Sequence, residues 1–408
     1  MRHDDVSLDN CLKCSDCNTV CPMLAANPAY PGPKHLGPEL ERLRREGLPC
    51  DSDWLEYCLG CHRCDLACPN QVNVSELIAA AKARHSKTGI RKFRDFWFAR
   101  PALLGRMLSI VPALTNVLLG AKVARFGMGK VMKITDKRRF PPYARPNLDL
   151  PKTTGGKAGK LVFFPGCAIR YNQPDLAAKV AQVLNRNGFD TEVRDAGCCG
   201  VPALANGDGV EARQRAAANV EELSRAVREG ARIVTACPSC GHMLKAGMAD
   251  LLSDDPALEG KARDVARNTY DLAELLMSRS DDGALDTAFA RRDMKLAYHS
   301  PCHQLSQGIG RPWFHLLRQV PGIAIEDLDA GCCGMSGTFG FKEEKYPASM
   351  AVGQRLFDRV AETRPEMVVT ECATCRMQIE HGTGVRAIHP VEILLEAYGQ
   401  RGNGDRHG

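Results

Sequence analysis

The sequence has no unbroken apolar run long enough to cross a bilayer. Leu103 to Leu119 comes nearest, but at 17 residues and interrupted by Arg106 and Pro112 it sits at the lower limit for a span. A transmembrane helix is rejected. Met1-Arg2-His3-Asp4-Asp5 lacks the apolar stretch of a secretory signal, so the expected compartment is the cytosol. No G-x-G-x-x-G follows a predicted strand, which excludes a flavin or nicotinamide fingerprint on this chain. Lys152-Thr-Thr-Gly-Gly-Lys-Ala-Gly-Lys160 misses the phosphate-loop spacing because position 154 is Thr, and it precedes a strand instead of following one. It reads as a flexible linker and a domain boundary.

Cysteine is abundant. Nineteen in a 408-residue cytosolic chain that is 44% hydrophobic and 25% charged argue for metal or redox chemistry over a disulfide framework. The length predicts two to three domains with real cores. Near the N-terminus, Cys11-Leu-Lys-Cys14-Ser-Asp-Cys17-Asn-Thr-Val-Cys21-Pro22 is C-x2-C-x2-C-x3-C-P, and Cys58, Cys61, Cys64, Cys68 and Pro69 repeat it. Closely spaced thiolates of one loop wrap three irons of a cubane, and the fourth cysteine ligates the other cluster. The expected sets are Cys11, Cys14, Cys17 and Cys68 for one [4Fe–4S] cluster, and Cys58, Cys61, Cys64 and Cys21 for the other. Structural zinc needs four ligands and has no use for a crossed eight-cysteine pattern. Cys50 stands outside both motifs and reads as a free or buried thiol.

A second pattern is duplicated. Cys167, Cys198-Cys199 and Cys237-Pro-Ser-Cys240 recur as Cys302, Cys332-Cys333 and Cys372-Ala-Thr-Cys375, at offsets of 135, 134 and 135 residues. Five thiols in one order at a near-constant offset mark an internal duplication. Each cysteine group follows a short apolar stretch, as in Leu161-Val-Phe-Phe164, Ile233-Val-Thr235, Leu296-Ala-Tyr298 and Met367-Val-Val369. Helical patterns between them predict α/β units with parallel pairing. Thiols just after strands sit where open α/β sheets hold ligands. Gly197, Gly200, Gly331 and Gly334 flank the adjacent pairs and would permit strained backbone beside bulky sulfide. Spacing alone gives a metal site in two copies, without the shape of its cluster.

Between these regions, Arg91 to Arg145 carries thirteen Lys and Arg against Asp95 and Asp136, or +11, leaving −5 for the remainder of the +6 total. Phe93, Phe96, Trp97, Leu103, Leu104, Leu114 and Leu118 lie among these charges. Helices lying in a membrane interface, drawn to anionic lipid, are expected here. Nucleic acid is not expected as a partner, because no recognised module accompanies the charge. The fold class is α+β multi-domain: a ferredoxin-like domain for two [4Fe–4S] clusters over 1–89, a basic docking segment and linker over 90–157, and cysteine-rich repeats over 158–290 and 291–400. A capping box is expected at Asn73–Glu76 and one short helix over Pro38–Glu46. His303 and His242, each beside a cysteine group, are candidates to tune a cluster through hydrogen bonds.

The five-cysteine motif resembles the cysteine-rich CCG domain of the heterodisulfide reductases. The whole chain resembles the iron–sulfur subunits of bacterial anaerobic glycerol-3-phosphate dehydrogenases. The match rests on Asn10-Cys-Leu-Lys-Cys14, Asn27-Pro-Ala-Tyr-Pro-Gly-Pro-Lys34, Cys199-Gly-Val-Pro202, Gly334-Met-Ser-Gly-Thr-Phe-Gly-Phe-Lys342 and His389-Pro390. The iron–sulfur subunits of glycolate oxidase and of lactate utilisation share the layout and match these phrases less well. The resemblance implies two further, noncubane [4Fe–4S] clusters in the repeats. It also implies electron transfer from flavoprotein dehydrogenase subunits to menaquinone or another quinone, with the chain peripheral on the inner face of the cell membrane. In some members the first five-cysteine set is degenerate; here both are complete. The alternative that the motif carries is a thiol–disulfide reductase.

Overall fold

The computed structural model describes residues 8–85, 88–150, 156–194 and 197–399. Met1–Asp5 and the first part of the expected linker, Lys152–Gly155, lie outside them. Two four-stranded parallel sheets dominate. The first runs β2-β1-β3-β4, from Lys160–Phe163 (β1), Asp190–Val193 (β2), Arg232–Thr235 (β3) and Thr269–Asp271 (β4); the second runs β6-β5-β7-β8, from Met294–Tyr298 (β5), Ile323–Asp327 (β6), Met367–Val369 (β7) and Ala387–Ile388 (β8). Leu161 pairs Arg232 and Leu296 pairs Met367. Both pairings sit at the same offset as the cysteines, so register as well as sequence is duplicated.

β1 hydrogen-bonds to β2 on one side and β3 on the other, and the chain crosses over in opposite directions to reach them. The same reversal occurs at β5. Such a switch point leaves a crevice beyond the carboxyl ends of the strands, and that is where the sequence places its cysteines. The inner faces of the two sheets share one core: Phe163, Val180, Leu184, Leu272 and Leu276 pack into the same cluster as Leu296, Trp313, Leu317 and Leu394. The repeats therefore form one body.

The described N-terminal region has short helices and no strand, held by Met23, Tyr30, Leu36, Leu55, Val74, Leu77 and Ile78. Its core continues into the second repeat through Cys332, Phe339 and Val352. The expected helix over Pro38–Glu46 is a π-helical turn, His35–Glu39, followed by Leu40–Arg45. Pro38 lies inside the turn and has no N–H to continue a regular α ladder. The Val74–Arg84 helix forms as expected, but Asn73 makes no side-chain cap bond. True capping boxes are found at Asp271/Glu274 and His389/Glu392.

The basic segment is four short helices, Gly89–Phe98, Pro101–Leu108, Pro112–Gly120 and Lys122–Met132. No single described helix is long and apolar enough to cross a membrane; the second and third meet at 110°. Ile110, Leu114, Val117, Val123, Phe126 and Val131 are exposed. Part of the basic charge is turned inward. Arg94 makes a two-pronged bond to Glu344 at 2.8 and 2.9 Å, Lys342 pairs Asp95 at 2.9 Å, and Arg100 reaches Asp208 at 2.9 Å. These pairs fasten the segment to both repeats.

Candidate metal centres

Eight N-terminal cysteines line two cavities. Cys11, Cys14, Cys17 and Cys68 surround one, with Lys34, Pro69 and Val74. Cys21, Cys58, Cys61 and Cys64 surround the other, with Tyr30 and His62. The two short loops bring three cysteines each, and the fourth arrives from the other motif. Lys13, Ser15 and His62 adopt positive φ within the loops, a conformation uncommon for residues with a side chain; it folds each loop around its cavity.

Each repeat gathers its five cysteines at the sheet crevice. Cys167 Sγ lies 3.9 Å from Cys198 Sγ, and Cys333 Sγ lies 3.3 Å from Cys375 Sγ. The glycines flanking the adjacent pairs, Gly197, Gly200, Gly331 and Gly334, all have positive φ. At Gly334 an added Cβ would meet Ser349 O at 2.2 Å, so the backbone there tolerates no side chain.

The centres are arranged in sequence. Cys61, beside the second N-terminal cavity, is close enough to Cys302 for that thiol to push it up, after burial as the larger cause. Cys237 of the first repeat likewise feels Cys372 of the second. Arg63 approaches Gly331 on one side of the second repeat's centre, and buried Arg376, bonded to Gln173 Oε1 at 2.6 Å, lies on the other. The second repeat's cysteines thus stand between those of the N-terminal domain and those of the first repeat.

None of the nineteen cysteines is in a disulfide. Burial pushes the Cys61 thiol well up. Cys333 and Cys372 fall to about 6 and about 5, because neighbouring thiols, Cys332 and Cys375 first, donate to them. So many sulfurs, unbridged and crowded at hydrogen-bond distance, cannot all ionise together without a cation among them. The donor set fits iron–sulfur groups: thiols in two fours and two fives, with backbone N–H of Val72 and Gly334 already on the sulfurs of Cys68 and Cys332. Cys50 joins none of the groups and packs at the edge of the N-terminal core.

The sequence matches the cysteine-rich domain family, CCG, over residues 161–245 and 296–380, and the 4Fe-4S dicluster domain over residues 7–72. It is 33% identical over 402 residues to the C subunit of the anaerobic glycerol-3-phosphate dehydrogenase of Escherichia coli (strain K12), covering 97% of this chain and 99% of that one. The chain belongs to this family of iron–sulfur subunits. The glycolate oxidase iron-sulfur subunit of Escherichia coli (strain K12) is 24% identical over 96% of this chain and 95% of its own length. A crystal structure of a hypothetical protein from Helicobacter pylori shares the fold, with TM-score 0.51 and 11% identity over 98% of this chain and 78% of the other. An iron–sulfur member of this family is thus a subunit of an oxidoreductase complex, with the α+β multi-domain architecture read from its sequence.

The histidines sit differently from expectation. His62, His242 and His303 come from the three cysteine-bearing regions and cluster, with ring centroids 4.1 to 5.5 Å apart and the rings of His242 and His303 stacked. His303 spends both nitrogens, Nδ1 on Ser239 Oγ at 2.8 Å and Nε2 on Gly60 O at 2.9 Å. His242 Nδ1 bonds Ser306 Oγ at 2.9 Å. These rings join the N-terminal loop to both repeats and leave His303 no hydrogen bond for a cluster. Sequence reasoning passed over His299, which is 1% exposed. The signal was available: counting back 135 residues, the matching residue in the first repeat is Phe164.

Proposed function

We propose that the chain is the electron conduit of a membrane-bound dehydrogenase complex, taking electrons from a flavoprotein partner and delivering them to a quinone such as menaquinone. In this reading Cys11, Cys14, Cys17 and Cys68 hold one cubane [4Fe–4S] cluster, and Cys21, Cys58, Cys61 and Cys64 the other. Cys167, Cys198, Cys199, Cys237 and Cys240 hold a noncubane cluster, as do Cys302, Cys332, Cys333, Cys372 and Cys375. When bound, such clusters supply one-electron steps. The observation that carries the reading is the serial placement of the four cysteine groups, with the second repeat's set in the middle. The likeness to the anaerobic glycerol-3-phosphate dehydrogenase subunit supports glycerol 3-phosphate as the partner's substrate.

The apolar, basic helices supply the membrane contact. Exposed Ile110, Leu114, Val117 and Phe126 enter the interface while Lys122, Lys130 and Arg106 meet anionic headgroups. This segment also packs on the helix that carries Cys167: at Gly105 an added Cβ would run into the ring of Tyr171, four residues from Cys167. Quinone would therefore be reduced beside the first repeat, at the end of the series. The facing thiols Cys237 and Cys372 also favour a second reading, a disulfide reductase in which substrate enters between the repeats.

Iron and acid-labile sulfide per chain, measured on anaerobically purified protein, test the cofactor assignment. About 16 Fe, as four [4Fe–4S] units, supports it, and about 8 Fe leaves the repeats without clusters. Quinone reduction that needs the flavoprotein supports the conduit. Cleavage of an organic disulfide by the chain with an artificial reductant alone supports the reductase instead.

A further inference from the structure

His299 and Phe164 occupy the same place in the two repeats. Each follows the strand that leads to the first cysteine of its set. His299 N donates to Val369 O at 3.1 Å, and Phe164 N donates to Val234 O at 2.9 Å; both acceptors and both donors are related by the repeat offset. Phe164 packs in an apolar cluster with Cys199 and Cys240. Their counterparts, Cys333 and Cys375, have Sγ atoms that lie with a ring nitrogen of His299 inside 4.8 Å of one another. The His299 Nε2 atom is buried and has no hydrogen-bond partner among the described residues. A buried polar nitrogen left without a partner costs stability, and a bound group beside those two sulfurs would satisfy it.

We propose that His299 supplies a nitrogen contact to the cluster of the second repeat, while Phe164 denies one to the first, so that the duplicated centres differ in potential. A nitrogen contact raises a cluster's potential, either by hydrogen bonding to sulfur or by replacing thiolate density with a neutral donor. The centre in the middle of the series is thereby poised above the value its cysteines alone would give. His299 acts as a positioning and tuning residue. The proposal rests on the reading that both repeats carry clusters.

Pulsed EPR on protein selectively labelled with nitrogen-15 histidine, with iron content and a potentiometric EPR titration, is the test. The expected result is a histidine nitrogen coupling on one of the two repeat-type signals, absent in His299→Phe. That variant should also lower the midpoint of the same signal so that its oxidised-to-reduced ratio at fixed potential changes at least tenfold, about 59 mV for a one-electron couple. Phe164→His should raise the midpoint of the other signal and add a coupling to it. If His299→Phe fails to assemble, the coupling in the wild-type chain and the Phe164→His shift still decide the matter. Two repeat-type signals with no histidine coupling and unchanged midpoints overturn the proposal and leave the cluster reading standing. About 8 Fe with no repeat-type signal overturns both.

Discussion

The two repeats keep the same five cysteines in the same register, yet their surroundings have diverged. Beneath the first set lie Phe163, Phe164, Ile169, Ala236 and Gly241. The corresponding residues of the second are Tyr298, His299, Gln304, Glu371 and Arg376. In the second repeat the Tyr298 hydroxyl meets Gln304 Oε1 at 2.7 Å and Glu371 Oε1 at 2.8 Å, all three deeply buried. In the first, the side chains at those positions pack as apolar core. In the proposed reading the cysteines are constrained by the group they hold. Their neighbours are constrained by location, and only the second set has cysteines of other regions on two sides. Buried polar groups there carry a cost unless partnered, so their retention at one centre and absence from the other points to a different task for each.

Removing one cysteine from each repeat breaks the comparison most severely. Cys333→Ser should abolish electron flow from the N-terminal cysteine groups to the first repeat, because the second stands between them. Cys199→Ser should abolish quinone reduction while leaving the second repeat reducible. Each should lose about a quarter of the iron, one of four [4Fe–4S] units. Rapid-freeze EPR after reduction by the flavoprotein partner separates the two; identical behaviour would remove the serial order.

The next effect concerns the core that makes the repeats one body. Trp313 is fully buried among residues of both sheets. Trp313→Ala should cost about 3–5 kcal/mol, read as a fall in the urea midpoint of the whole molecule. Two transitions in the wild-type chain, with only one moved by the substitution, would mean that the repeats unfold separately.

A smaller, pH-dependent effect belongs to the first repeat. Asp271, at the end of β4, caps the Leu272–Asp281 helix through Ala273 N at 2.9 Å. Burial pushes its carboxyl up to about 6 from 3.8, with the bond from Ala273 N opposing. A raised carboxyl stays protonated in the fold where the unfolded chain has already ionised. Its contribution therefore favours folding below about pH 4 and turns unfavourable as pH rises through 6. The difference in unfolding free energy between Asp271→Asn and the wild type should grow by up to about 3 kcal/mol across that window and stay flat above pH 7. A flat difference throughout would show an ordinary carboxyl.

The smallest effect on stability belongs to the exposed helices. Replacing Leu114, Val117 and Phe126 with Ser should change unfolding by less than about 0.5 kcal/mol per site. It should nonetheless weaken cosedimentation with anionic vesicles more than tenfold, since each buried apolar side chain contributes about 1.5–3 kcal/mol to partitioning. Unchanged vesicle binding would turn this face toward a protein partner.

Much of this molecule was legible as text. The spacing of Cys11 to Cys68 predicted which four thiols surround each N-terminal cavity, because a short loop can curl around one group only and must lend its last cysteine elsewhere. The 135-residue offset revealed the duplication, and the strand-then-cysteine pattern predicted parallel sheets with sulfurs at the crevice. The local errors came where neighbours override propensity: Asn73 makes no cap bond at a packed junction, and Pro38 lies in a π-helical turn where one short helix was expected. The basic segment's charge was countable, but Arg94 and Arg100 turned out to be structural pins, since their partners Glu344 and Asp208 lie far off in sequence.

Cysteine spacing and strand periodicity are local properties, and the sequence by itself determined them. Adjacency is not local. That the second repeat's cysteines abut those of the N-terminal loops, that three histidines from three regions cluster at their meeting point, and that a ring nitrogen of buried His299 lies beside Cys333 and Cys375 were decided only in the tertiary structure. The physical reason is the shared core: burying the inner faces of both sheets against one set of helices leaves a single way to dock the pair, and that docking selects which cysteines become neighbours.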